Sequence, residues 1–326
     1  MRPPEHWHLQ RRRRRPWRLI VLLAGSALAV ALLAVWCLPG GGHDTTTANT
    51  SAKDCSSASP CTPGNPSRTF GSDAPPPAIR GRAGAIIEAS CAAELYAKND
   101  DVRLPPASLT KMMTALVAVQ RVELSRVFDV QVNSGLMVAS TGSTVMGLEP
   151  GMRLSLRDLL YGLLLPSGND AAVEIAQDVA GSEPAFVDLM NQKAQQLGLL
   201  NTHFANPHGL DQAGLYTTAL DIALLGRAVL GEPALATIVR TKSYQPGWDG
   251  PEVTNGNELL VRYPDAIGVK TGYTEQAGQT IVAAAQRNGR TLIVSVLGSW
   301  DRYSDAIALF DWAFTSTQPG CTSALP

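Results

Sequence analysis

Strand-forming segments sit at both ends of the folded part of this chain, and helix-forming ones fill the middle. Ala83–Ala89 and Ala93–Lys98 read as two short strands around a turn at Ser90 and Cys91. Ile267–Tyr273, Gln279–Gln286 and Thr291–Gly298 repeat the pattern near the C-terminus, where Asn288-Gly289 is a two-residue hairpin turn. Between them the apolar period predicts helices over Leu156–Leu165, Asp170–Ala180, Glu183–Leu197 and Thr218–Leu230. Pro166-Ser167-Gly168, Gly181, Gly198 and Pro207 part them, and Tyr303–Phe314 closes as an amphipathic helix. A sheet whose strands come from both ends of a chain belongs to one domain. The expected fold class is therefore α+β: an antiparallel five-stranded sheet packed with helices, plus a helical lobe, over residues 80–326.

Upstream the chain changes character twice. Residues 1–18 carry seven arginines (Arg2, Arg11 to Arg15, Arg18) against Glu5. That local charge of +6 within a net charge of -1 leaves the rest at -7. A nucleic-acid binder places its basic charge on the folded domain, so no nucleic-acid partner is expected. Leu19–Leu38 is a 20-residue run without a charge, long enough to cross a bilayer as a helix. With the arginines just before it, residues 1–18 are expected in the cytoplasm and everything after Pro39 outside. A retained single-pass anchor at 19–38 is the reading. A cleaved signal peptide, giving a secreted form, has against it the length of the run and Trp36 at the decisive place. Residues 39–79 are rich in Gly, Ser, Thr and Pro and read as a flexible linker, with an r.m.s. span of about 35 Å.

Of five cysteines, Cys37 falls in the apolar run, leaving Cys55, Cys61, Cys91 and Cys321 in oxidising surroundings. The simplest of three pairings is Cys55–Cys61 within the linker and Cys91–Cys321 tying the first hairpin to the tail. No CxxC or HExxH occurs, so neither a metal nor another cofactor is expected.

Three short motifs lie in order: Ser108-Leu-Thr-Lys111, Ser167-Gly168-Asn169 and Lys270-Thr271-Gly272. The first follows Pro105-Pro106-Ala107 and opens an apolar-periodic run through Met112, Met113, Leu116 and Val117. A helix starting there puts Ser108 in its first turn and Lys111 on the same face one turn on. Taken singly, each motif has a plain reading: a helix cap with a solvated lysine, a turn before a helix, a strand ending in a turn. Together they resemble the set of the penicillin-interacting serine enzymes, with Gly168 in place of the Asp of S-D-N. Over about residues 83–315 the sequence resembles that superfamily, and within it the D-alanyl-D-alanine carboxypeptidases. The likeness extends to Pro106–Met113, Gly142-Ser143, Pro150-Gly151, Ser167–Ala171, Asn201–Phe204, Pro207–Asp211, Gly268–Thr274 and Ala277-Gly278.

The resemblance implies a β-lactamase/transpeptidase-like fold and gives each motif residue a task. Ser108 is expected as nucleophile and Lys111 as its base, neutral because it is buried beside the cation Lys270. Ser167 is expected to relay a proton to the leaving amine, and Asn169 to bond Lys111 and the substrate amide. Ser108 and Tyr273 supply backbone N–H groups for the oxyanion. Lys270 and Thr271 suit the terminal carboxylate, and Gly272 permits close approach. His203 and His208 are expected to be structural. The expected partners are peptidoglycan stem peptides, β-lactams as inhibitors, and the cytoplasmic membrane through the N-terminal helix. Gly168 and the lack of a Glu in 195–206 separate the chain from class A β-lactamases, so a penicillin adduct should persist. The small β domain that many relatives carry is expected to be absent, because the chain stops about a dozen residues after its last helix. The activity implied is removal of the terminal D-Ala of stem pentapeptides. The alternatives are a DD-endopeptidase, a β-lactamase, or a non-catalytic muropeptide or β-lactam sensor.

Overall fold

Apolar residues recur on both faces of the central strands, so the sheet they build must be covered twice. In the computed structural model, residues 68–69, 72, 74–247 and 250–318 are described. Strand β1 (Arg68–Thr69) precedes β2 (Ala83–Glu88) and β3 (Glu94–Lys98), then a 3₁₀ turn at Ala107–Thr110 and helix α1 (Lys111–Val119). The middle of the chain supplies β4 (Val127–Asp129), α2 (Ser134–Thr141), β5 (Arg153–Ser155), α3 (Leu156–Leu164), α4 (Asn169–Ala180) and α5 (Glu183–Gln196). Next come α6 (Ala219–Gly231), α7 (Pro233–Arg240), β6 (Ser243–Tyr244), β7 (Val253–Thr254) and α8 (Leu259–Arg262). The chain then forms β8 (Ala266–Thr274), β9 (Gly278–Arg287), β10 (Arg290–Ser299) and α9 (Arg302–Ser316).

The sheet runs β1-β3-β2-β10-β9-β8 with every neighbouring pair antiparallel. First-hairpin strand β2 thus lies against the last strand, β10, as the two-ended pattern requires, and β8 is left at an edge. Alternation sorts the side chains. Ala83, Ala85, Ile87, Ile293 and Leu297 face a core shared with α1, α3, α4 and α6. Ile86, Tyr96, Ile281, Val294 and Val296 face a second core closed by Leu309, Phe310 and Trp312 of α9. Each such fully buried large side chain stabilises the fold by roughly 1.5–3 kcal/mol. Helix starts are written locally. Ser155 and Asp158 form a reciprocal capping box on α3, and Ser182, Thr218 and Asp301 cap α5, α6 and α9.

The five expected strands and the expected helices form, with ends shifted by a residue or two. Some elements were not anticipated. β1 adds a sixth, two-residue strand from the stretch read as linker, with Arg68 opposite Ala97. The indole N–H of Trp312 donates to the Ala74 carbonyl (3.0 Å), so that stretch packs on α9. Helices α2, α7 and α8 and two small two-stranded sheets, β4-β5 and β6-β7, are also new. Helix α1 begins only at Lys111, so Ser108 lies in the 3₁₀ turn ahead of it.

The expected membrane span 19–38 lies outside the described residues, as do Cys37, Cys55, Cys61 and Cys321. Among the described residues no single helix is long and apolar enough to cross a membrane. Cys91 is disulfide-bonded, with its partner outside the described residues. Arg290 pairs with the buried Glu88 (2.9 Å) and donates to the carbonyls of Thr317 (2.9 Å) and Gln318 (3.2 Å). That clamp holds the last described residues beside β2.

Candidate active site

Two prolines and a backward-turned alanine set up the first wall. Ala107 adopts φ +52, a left-handed conformation that a non-glycine residue holds only when its surroundings insist. The 3₁₀ turn follows, and Lys111, one turn beyond Ser108, is fully buried. Its Nζ lies 3.1 Å from Ser108 Oγ and donates to Asn169 Oδ1 (2.6 Å) and to the His208 carbonyl (2.8 Å). Burial lowers the Lys111 pKa well below the usual lysine value; the Lys270 charge adds to this and Asp170 opposes it. A neutral amine has two N–H groups and one lone pair. Asn169 and His208 take the two N–H groups, so the lone pair faces the Ser108 hydroxyl. The pair can therefore pass a proton from oxygen to nitrogen.

The second wall is the turn into α4. Gly168 sits where a Cβ would come 2.7 Å from Asp170 Oδ1 and 3.0 Å from the Gly162 carbonyl. Ser167 takes φ +70, and its Oγ is buried without a hydrogen-bond partner. Asp170, fully buried, explains why the turn holds. Its carboxylate accepts from the backbone N–H of Met146 (2.9 Å), Gly147 (2.9 Å) and Leu148 (3.1 Å), while Asn169 N donates to the Thr144 carbonyl (2.8 Å). The 144–148 segment is thereby fastened to the start of α4.

The third wall is edge strand β8. A Cβ on Gly272 would lie 2.8 Å from Ser108 N and 2.6 Å from Thr280 Oγ1, so only glycine lets β8 approach the Ser108 turn. Lys270 is 2 % exposed, and its Nζ donates to the Thr271 carbonyl (2.9 Å). Burial, with help from the Arg302 charge, brings its pKa down to about 7. Tyr273 is exposed, and its hydroxyl donates to Glu275 (3.1 Å).

Ser108, Ser167, Asn169 and Tyr273 line one cleft of about 410 Å³. Lys111 bonds two of them, and Lys270, Thr271 and Gly272 lie on the adjoining strand. Several participants were not legible from motifs. Arg302, at the start of α9, donates to the carbonyls of Gly272 (2.6 Å) and Thr280 (3.1 Å), fixing β8 from behind. The 206–210 segment presses on the Ser108 turn, where a Cβ on Gly209 would lie 2.0 Å from the Ala107 carbonyl. Thr114 Oγ1 donates to the Pro207 carbonyl (2.6 Å). In the sequence this segment is marked only by the family likeness at Pro207–Asp211, which gives it no task. The histidines have structural bonds: His208 Nδ1 accepts from Leu210 N (3.2 Å), and His203 Nδ1 meets the Gly214 carbonyl (2.7 Å). Burial, then the Lys111 charge, lowers the His208 pKa to about 4. No group of three or more metal-ligating side chains occurs among the described residues.

Comparison with known proteins places this arrangement. Residues 70–300 match the family model for D-alanyl-D-alanine carboxypeptidase. DacF of Bacillus subtilis, a D-alanyl-D-alanine carboxypeptidase, is 34% identical over 71% of this chain and 61% of its own length. DacA of Escherichia coli is 37% identical over 70% of this chain and 59% of its own. The chain thus spans about three fifths of the length of these two relatives. Among solved structures, a DD-transpeptidase of Streptomyces superposes with a TM-score of 0.71 at 31% identity, over 74% of this chain and all of that one. A penicillin-binding protein homologue from Mycobacterium tuberculosis gives 0.69 at 33% identity, over 76% and 96%.

Proposed function

The chain belongs to the D-alanyl-D-alanine carboxypeptidase family, and from that premise we propose that it hydrolyses the terminal D-Ala-D-Ala bond of peptidoglycan stem peptides through a Ser108 acyl-enzyme. One observation carries the reading: a fully buried Lys111, its pKa lowered chiefly by burial, whose Nζ lies 3.1 Å from Ser108 Oγ and is otherwise bonded to Asn169 Oδ1 and the His208 carbonyl. In the proposed reaction Lys111 takes the hydroxyl proton as Ser108 Oγ attacks the penultimate D-Ala carbonyl. The N–H groups of Ser108 and Tyr273 hold the oxyanion. The proton passes through Ser167 to the departing D-Ala amine, a role that its partnerless buried Oγ supports. Asn169 orients Lys111 and the substrate amide, and Lys270 and Thr271, with Arg302 behind them, hold the terminal carboxylate. Gly272 keeps the strand close. Water then attacks the ester, and the same groups return Ser108.

A β-lactam is opened by the same attack, but its amine stays tethered, and no Glu in 195–206 is available to activate water against the adduct. The arginine-flanked run 19–38 supports an N-terminal anchor that holds residues 80–326 on the outer face of the bacterial cytoplasmic membrane. The likeness to a DD-transpeptidase favours a second fate for the same acyl-enzyme, transfer to an amine. The test is incubation with a diacetyl-Lys-D-Ala-D-Ala peptide and, separately, with a chromogenic cephalosporin. D-Ala release without sustained cephalosporin turnover is expected, and an added D-amino acid appearing in the product reports transfer. Cephalosporin turnover without D-Ala release would overturn the reading.

A further inference from the structure

The cleft has a charge pattern beyond what the bond-breaking step needs. Its two buried lysines, Lys111 and Lys270, lie at the catalytic end. Among its lining residues the only carboxylates are Asp211 and Glu275, both exposed at the far end of β8. His208, the one other titratable group on the wall apart from the Tyr273 phenol, is held neutral. Both carboxylates accept hydrogen bonds from neighbouring groups. Asp211 accepts from Thr274 Oγ1 (2.7 Å) and Gln276 N (3.4 Å), and Glu275 accepts from the Tyr273 hydroxyl (3.1 Å). Among the described residues no cation pairs with either.

The direction of β8 says which part of a peptide meets them. With the terminal carboxylate at Lys270 and Thr271 and the scissile carbonyl at Gly272 beside Ser108 N, the acyl portion runs on past Tyr273. An extended peptide advances about 3.4 Å per residue, close to the rise of the strand it lies along. The residue two positions before the terminal D-Ala therefore sits about 7 Å further on, level with Tyr273 and Thr274. Its side chain is within reach of Glu275.

We propose that Glu275, supported by Asp211, makes the cleft select stem peptides whose third residue carries a free, positively charged amine. This rests on the carboxypeptidase reading above. A cationic side chain gains an ion pair at the lip, a capped one gains nothing, and an anionic one is repelled. The contact is made equally before and during acylation, so it acts on KM rather than kcat.

The experiment measures kcat/KM for D-Ala release from three peptides of Nα-acetyl-Lys-D-Ala-D-Ala: ε-amine free, ε-acetylated and ε-succinylated. At low ionic strength the expected order is free, acetylated, succinylated. The first two should differ about two- to fivefold, the scale of an exposed ion pair. The preference should fade at about 1 M salt, where the screening length is about 3 Å. In Glu275→Gln the ratio between free and acetylated peptides should approach one, and in Glu275→Lys the order should invert. A wild-type ratio at or below one, or a ratio unmoved in both variants, would overturn the proposal. D-Ala release from all three peptides at equal efficiency sinks this inference alone; release from none sinks it together with the reading it rests on.

Discussion

Lys111 can act as a base only while it is uncharged, and Lys270 can hold a carboxylate only while it is charged. In the free enzyme the first has its pKa lowered well below the lysine norm, chiefly by burial, and the second is lowered to about 7. As pH rises, kcat/KM should climb when Lys111 loses its proton and fall when Lys270 loses its own. The expected profile is a bell with its falling limb near pH 7. Lys270→Arg keeps the charge at all accessible pH, so the falling limb should vanish even as KM worsens through poorer fit. A profile that stays level from neutral to alkaline pH in the wild type would contradict these roles. At this scale the motifs named the residues that meet, because serine, lysine and asparagine chemistry leaves a mark at short spacing. Arg302 left none. Its guanidinium matters only because α9 starts beside β8, a contact between strand end and helix start that no local pattern encodes.

Edge strand β8 shapes the site through what it lacks. Gly272 admits the Ser108 turn, and a methyl there clashes with both Ser108 N and Thr280 Oγ1. Gly272→Ala should therefore lower kcat/KM about a hundredfold, the cost of shifting reacting groups by about an ångström. Its stability loss should stay within about 1–3 kcal/mol. Gly231→Ala, whose Cβ meets nothing within 4 Å, is expected to leave both kinetics and melting temperature near wild type. Equal damage from the two substitutions, measured by D-Ala release and thermal unfolding, would mean that close approach is not what Gly272 provides. The long elements were legible because they are amphipathic over three turns or pair over six residues. Helix α2 was not: only Ser134 of its eight residues is buried, so it has no apolar stripe to read. Helix α7 has a local start signal, Pro233, directly after α6.

Across the whole molecule, one sheet with a core on each face brings the motifs together from positions 108, 167 and 270. The α9 side of that sheet also recruits the stretch before residue 80, since Trp312 bonds Ala74 and β1 extends the edge. That recruitment was illegible because Gly, Ser and Pro-rich chain looks the same whether or not a neighbouring aromatic and an open strand edge receive it. The family membership, the two-sided sheet and the three-walled cleft all point to one atom, Ser108 Oγ. Its test is peptide mapping by mass spectrometry after incubation with benzylpenicillin. A lasting penicilloyl adduct is expected on the peptide containing Ser108, and none in Ser108→Ala. An adduct on another residue, or one that survives in Ser108→Ala, would contradict Ser108 as the nucleophile.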